Sequence, residues 1–234
     1  MVEVQFGKIE FIVVKFYFYI KKHMNKLTII FAKNRLYALL IIVLSTMNVA
    51  VHSESKSSET LIVEELHDKL LFIMQNSDKF QHEDRVNQIT KVISNNFNIP
   101  LISQVVLGRH WTNLNIHEQT EFISLYTNLV ATTYASRFNE FDGESFVYVA
   151  TQELNRGRKL VKTELHTGSD EKVTLEYIMA KHEENWKIIS VIANGANDIS
   201  IKRGEYTDVI KLKGYDALLV EINKKINESA DLIN

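Results

Sequence analysis

The feature that most constrains the fold is a change of hydrophobic period near residue 141. Upstream of it, apolar residues recur every three or four positions. Thr60–Ser77 puts Ile62, Leu66, Leu70 and Ile73 on one helical face, and Glu83–Asn96 does the same with Val86, Ile89 and Ile93. Pro100 suits the first turn of a helix running to about Arg109. Asn115 followed by Glu118 resembles a capping box and opens the strongest helix, Ile116 to Phe138. Its apolar face reads Phe122, Leu125, Tyr126, Leu129, Thr133 and Tyr134.

Phe141-Asp142-Gly143-Glu144 is a turn signal, and the period then falls to two. Four runs rich in Val, Ile, Thr and Tyr follow: Ser145–Thr151, Lys159–His166, Lys172–Lys181 and Trp186–Ala193. Their linkers are short enough for hairpins. In the third run Val173, Leu175, Tyr177 and Met179 face one way, opposite Thr174 and Glu176. A last helix is expected over Tyr215–Asn227, with Leu218, Leu219, Ile222 and Ile226 inward. Helices first and an antiparallel meander second make an α+β fold: a four-stranded antiparallel sheet packed against several helices around an apolar cavity.

The N-terminal region reads differently. The first 53 residues hold seven Lys/Arg and two Asp/Glu, which leaves 20 Lys/Arg against 27 Asp/Glu, a net of −7, for the rest. Lys21, Lys22, Lys26, Lys33 and Arg35 precede the apolar run Leu36–Leu44, which continues moderately apolar to Val51 and ends in Val51-His52-Ser53. A basic stretch, a short apolar core and small residues before a polar run describe a secretory signal, with cleavage expected after Ser53 or after Ala50. Residues 1–53 are therefore assigned to an export region and 54–234 to the functional domain. An uncleaved anchor is the alternative reading, although the run is shorter than the roughly 20 residues of a comfortable span. Phe11–Ile20 adds a second apolar patch, and a start at Met24 would give an ordinary signal. The acidic remainder speaks against nucleic-acid binding, which needs a basic face.

Catalytic and metal motifs are missing from the sequence. The eight glycines are scattered, so no phosphate-cradling loop is formed, and the chain has no cysteine. No HExxH, no GxSxG and no acidic calcium loop occurs, and the eight histidines show no zinc-ligand spacing. His110 and His117 read as surface residues, and Asp142 and Glu144 as turn residues. Glu164, His166 and Glu176 lie on strands and are the one set that could converge as acid and base on an α+β scaffold. What remains is aromatic: Tyr126, Tyr134, Phe138, Tyr148, Tyr177 and Trp186 fall on elements expected to share one interior.

Val106-Leu107-Gly108-Arg109-His110-Trp111 resembles the LGxxW signature of the MlaC, or toluene-tolerance (Ttg), family of periplasmic phospholipid carriers. Phe122 and Tyr134 fall where that family's long helix carries its Phe and Tyr, Tyr177 matches a strand tyrosine, and Trp186-Lys187-Ile188 resembles the opening of its last strand. Gly195, Arg203, Tyr206 and Gly214 follow its pattern toward the final helix. The likeness spans roughly residues 60–227. Phe97-Asn98 stands where the family has Phe-Asp, Ser190 where it has Asp, and Asn194-Gly195-Ala196-Asn197 where it has Glu-Gly-Val-Ser.

The resemblance implies a non-enzymatic, cofactor-free carrier whose ligand is a phospholipid. Its implied partners are an inner-membrane ABC transporter complex and an outer-membrane lipoprotein complex, in a system that keeps the outer membrane asymmetric. The residues expected to line the pocket are Leu107, Trp111, Phe122, Tyr126, Leu129, Tyr134, Val147, Val149, Val161, Leu165, Val173, Leu175, Tyr177 and Ile188. A related branch implies a hopanoid or sterol-like lipid as an alternative cargo. A membrane-anchored adaptor with a filled core is the alternative without a ligand.

Overall fold

The computed structural model describes residues 57–169 and 171–231. The chain divides into Met1–Ser55 and Lys56–Asn234, and the export region lies outside the described residues. Among the described residues no helix is long and apolar enough to cross a membrane.

Four helices come first: α1 Ser58–Gln75, α2 His82–Asn96, α3 Ile99–Leu107 and α4 Ile116–Arg137. Five strands follow: β1 Ser145–Leu154, β2 Arg158–His166, β3 Lys172–His182, β4 Asn185–Ala193 and β5 Ala196–Asn197. Helices α5 Asp198–Lys213 and α6 Tyr215–Asp231 close the chain. The sheet is an antiparallel meander in the order β1-β2-β3-β4-β5, so the expected four strands gain a two-residue fifth.

Local chemistry explains the helix starts. Asn115 Oδ1 accepts from the His117 and Glu118 amides at 2.9 and 3.1 Å, while Glu118 Oε2 accepts from the Asn115 amide at 2.7 Å. That reciprocal box stabilises the start of α4 by about 1 kcal/mol. Asn98 Oδ1 accepts from the Leu101 amide at 3.1 Å and caps α3. A short aspartate offers the same acceptor, so the Phe97-Asn98 departure leaves this function intact.

Helix α5 is an element that the sequence pattern did not assign. It is polar, with Gly204 at its middle, and buries only Ile199 and Tyr206 among its side chains. So sparse an apolar face gives little periodicity to read. It is held by Asn197 Oδ1, which accepts from the Ser200 amide at 3.0 Å, and by packing on α3 and α6.

Helix α1 crosses the inner face of β1, β2 and β4, and the α2–α3 junction is stitched to β4 where the Asn98 amide donates to the Ile188 carbonyl at 2.9 Å. The long helix α4 packs chiefly on α2, α6 and α3. It reaches the sheet side through aromatic rings at its C-terminal end, and that arrangement sets up the site.

Candidate functional site

The cross-strand register sorts the strand side chains into two faces. Phe146 pairs with Leu165, and Leu165 with Val173, so these three form one row across β1, β2 and β3. Deeper along the sheet, Val161 pairs with Tyr177 on the same inner face, and both are buried. Opposite partners on one face have Cβ atoms about 5 Å apart and pack together.

Along α4 the environment changes from one end to the other. Phe122 is 0% exposed, and its ring lies 5.9 Å from Tyr126, 6.4 Å from Tyr206 and 6.5 Å from Tyr215. Leu107, Val161 and Ile188 are equally closed off. A side chain with no accessible area has no water-sized space beside it, so this deep end is filled by the protein's own atoms. Near the C-terminal end, Tyr134 and Phe138 keep accessible surface. Tyr134 stacks on Phe138 at 5.8 Å, and Phe138 meets Phe146 at 6.2 Å. Burial nevertheless pushes the Tyr134 hydroxyl pKa well up.

A polar pair lies behind these rings. His67 of α1 is buried, stacks on Phe146 at 3.9 Å and 8°, and shares a 2.9 Å hydrogen bond with the Tyr177 hydroxyl. Burial lowers the His67 pKa to about 3, so the imidazole is neutral at physiological pH. Tyr134 is close enough to Tyr177 to help hold that hydroxyl protonated, after burial as the main cause. Tyr134, Phe138, Phe146, Leu165 and Val173 thus form a half-buried apolar cluster, a candidate mouth, at one end of the sheet, backed by His67 and Tyr177.

The expected pocket residues separate into three groups. Leu107, Phe122, Tyr126, Leu129, Val161, Leu175, Tyr177 and Ile188 are buried in the core. Trp111, Tyr134, Leu165 and Val173 are half-buried against it. Val147 and Val149 are 40% and 52% exposed and do not join the interior. Val147 pairs with Glu164 on the outer face, and Val149 sits in a bulge between Tyr148 and Ala150 that shifts the register. Tyr148 is also exposed, donating to Thr151 Oγ1 at 3.1 Å. Two grooves on the surface, about 260 Å³ between α5 and α6 and about 420 Å³ along α1, are lined by other residues.

Sequence reasoning did not single out His67 or Phe146. The signal for His67 was its place among Val63, Leu66 and Leu70 on α1's apolar face. For Phe146 it was parity with Thr151 once a bulge is allowed, which Val147 and Val149 obscured.

The acid–base set is engaged in lysine ion pairs and a His166–Glu164 hydrogen bond. Glu164 contacts His166 at 2.8 Å and Lys172 at 3.4 Å, and Glu176 contacts Lys162 at 3.0 Å. The His166 hydrogen bond and the Lys172 charge lower the Glu164 pKa, which keeps the carboxylate ionised. Among the described residues no group of His, Asp and Glu is placed to hold a metal ion.

The signature residues gather at the filled end. Gly108 has φ +54°, and a Cβ there would lie 3.2 Å from the Arg203 guanidinium, so glycine lets the loop and α5 meet. Trp111 and Tyr206 pack beside Leu107 and Phe122 in one core. Two departures from the family pattern also meet, since Asn197 Nδ2 donates to Ser190 Oγ at 3.1 Å.

The fold has a solved counterpart. A phospholipid-binding protein from Ralstonia solanacearum, in complex with a phospholipid, is similar with a TM-score of 0.64 and 16% sequence identity, covering 74% of this chain and 99% of that one. No curated protein sequence matches the chain. The MlaC protein family matches residues 64–224, more than half of the sequence and nearly all of the described domain, and the chain belongs to that family.

Proposed function

We propose that this protein is a phospholipid carrier, a binding protein and not an enzyme, with acyl chains entering between the sheet and α4 at the mouth. The observation that carries the reading is the half-accessible apolar row of Tyr134, Phe138, Phe146, Leu165 and Val173 in a chain of the MlaC family. The phospholipid held by the solved relative supports the same ligand class. Export through the N-terminal segment would place the domain in the periplasm. There it would exchange lipid with an inner-membrane ABC transporter complex and an outer-membrane lipoprotein complex, and so help keep the outer membrane asymmetric.

Energetics favour a carrier over a sink. Two acyl chains hold roughly 30 methylenes, and at about 0.8 kcal/mol each their removal from water is worth about 24 kcal/mol. That exceeds the practical ceiling of about 18–21 kcal/mol for non-covalent affinity, so the relevant comparison is pocket against bilayer. The two apolar environments nearly balance, and transfer is reversible. Direction then comes from the partners.

The test is mass spectrometry of lipids that co-purify with the exported protein, together with extraction from phospholipid vesicles. Stoichiometric phospholipid is expected. The filled deep end favours one competing reading, an adaptor with no ligand. A folded protein that carries no lipid and extracts none would establish that reading instead.

A further inference from the structure

Strand β1 differs from its neighbours in the sheet. The order β1-β2-β3-β4-β5 puts it at an edge, and among the described residues no strand pairs with its other side. Strands β2, β3 and β4 each bury at least two side chains, whereas none of the ten residues of β1 is buried. Val147, Tyr148 and Val149, at its centre, are 40%, 49% and 52% exposed. From Ser145 to Gln152 the strand reads SFVYVATQ, without a charge, a proline or a glycine. An exposed edge of that composition is a template for a further strand, and proteins usually blunt such edges with lysine or proline. The opposite edge is blunted by shortness, since β5 has only two residues. The bulge that leaves Val149 without a partner on β2 bends the β1 edge but brings no charge to it.

We infer that the free edge of β1 takes the β1 strand of a second copy of this chain, antiparallel, about a two-fold axis at Tyr148. The strand is close to self-complementary about that residue. Antiparallel pairing there sets Tyr148 opposite Tyr148, Val147 opposite Val149, Phe146 opposite Ala150, Ser145 opposite Thr151 and Glu144 opposite Gln152. No like charges face each other, and the central pairs are the aromatic and β-branched ones that stabilise antiparallel sheets. A second copy carries the same bulge, so its edge bends as this one does. Any other strand would need an uncharged run of the same length and the same bend. The contact is isologous and closes on itself, so it gives a dimer with one continuous sheet. A single strand pair buries little area, less than about 1,200 Å², so the dimer is weak and depends on concentration. The inference does not depend on the carrier reading.

The experiment is sedimentation velocity on the purified full chain over a concentration series reaching about 1 mM, the range in which a small interface associates. A monomer–dimer equilibrium is expected for the wild type. Tyr148→Lys sets two lysines opposite each other and should weaken the dimer about tenfold. Val147→Lys and Val149→Glu should each weaken it several-fold. Mixing those two variants should restore it, because the mixed dimer sets the new lysine of one copy opposite the new glutamate of the other. Recovery on mixing also reports that both variants are folded. Association through any other part of the chain would be indifferent to these three exposed positions. A wild type that stays monomeric throughout the series overturns the inference. So does a dimer that Tyr148→Lys leaves as strong, or a mixture no more associated than its separate components.

Discussion

The two halves of helix α4 perform different tasks with similar residues. Its N-terminal half sends Phe122, Tyr126 and Leu129 into a space with no accessible area to spare. Its C-terminal half sends Tyr134 and Phe138 to a place where rings touch rings yet retain accessible surface. The difference lies in what faces the helix. The first half meets α5, α6 and the Gly108 loop, which supply Tyr206, Tyr215 and Leu107 at packing distance. The second half meets Phe146 of β1, whose cross-strand row continues through Leu165 and Val173. Aromatic content therefore does not mark a binding site in this protein.

The comparison can be broken most severely at the filled end. Phe122→Ala removes a ring with no solvent contact, and it should cost about 3–5 kcal/mol in denaturant-unfolding free energy. A cost below about 1 kcal/mol would mean that this end can collapse, and the contrast between the halves would fail.

Next in size is acid sensitivity behind the mouth. His67 stays neutral in the folded protein because burial lowers its pKa to about 3, whereas the unfolded chain takes up a proton near 6.5. The stability this histidine contributes is complete above about pH 6.5 and declines as pH falls toward about 3. Between pH 6.5 and 4.5 the loss is about 2–3 kcal/mol. His67→Gln should flatten that slope in unfolding curves taken across the interval, and an unchanged slope would put the buried imidazole in doubt.

A smaller effect is expected where α1 begins. Glu59 is buried and contacts Lys159 at 2.7 Å, while Lys159 also reaches Glu153 at 3.3 Å. Burial pushes the Glu59 carboxyl up, but the Lys159 hydrogen bond and local backbone and Ser57 hydrogen bonds more than offset it, so its pKa lies below the ordinary value. Its contribution is present above the unfolded carboxylate pKa and is lost as pH falls through the folded one. Lys159 is partly exposed, so Glu59→Gln should cost about 1–2 kcal/mol at neutral pH by thermal melts, between a surface pair and a fully buried one.

The smallest change in stability should give the sharpest functional contrast. Val173→Trp lies in the half-buried row rather than the closed core, and should shift stability by about 1 kcal/mol. The new ring would nevertheless fill the mouth. Co-purifying lipid should fall at least tenfold by mass spectrometry, and unchanged occupancy with a stable fold would remove Val173 from the entrance.

Much of the scaffold was legible because periodicity and capping act locally. The Asn115–Glu118 box and the inward set on β3 follow from residues within one turn or one strand. Helix α5 was not legible, because its packing depends on two buried residues whose partners lie far away in sequence. The site was legible only in part. Tyr134, Leu165, Val173 and Tyr177 follow from helical face and strand parity. The bulge in β1 reverses parity for Val147 and Val149 and brings Phe146 inward, and a backbone irregularity of that kind leaves no apolar pattern. His67 illustrates a further limit. A histidine on an apolar face announces burial, but its partner Tyr177 lies 110 residues away.

The signature cluster around Gly108, Arg203 and Tyr206 lies at the filled end of the domain, whereas the mouth lies at the other. The Gly108 motif is thus physically distinct from the half-buried rings, whereas Tyr134 and Tyr177 belong both to the family pattern and to that second cluster. Under the proposed carrier reading, substitutions at Phe138, Phe146 or Val173 would alter ligand preference while the Gly108 motif stays intact. Divergence in cargo among proteins of this architecture should therefore be sought in the rim rings rather than in the motif that unites them.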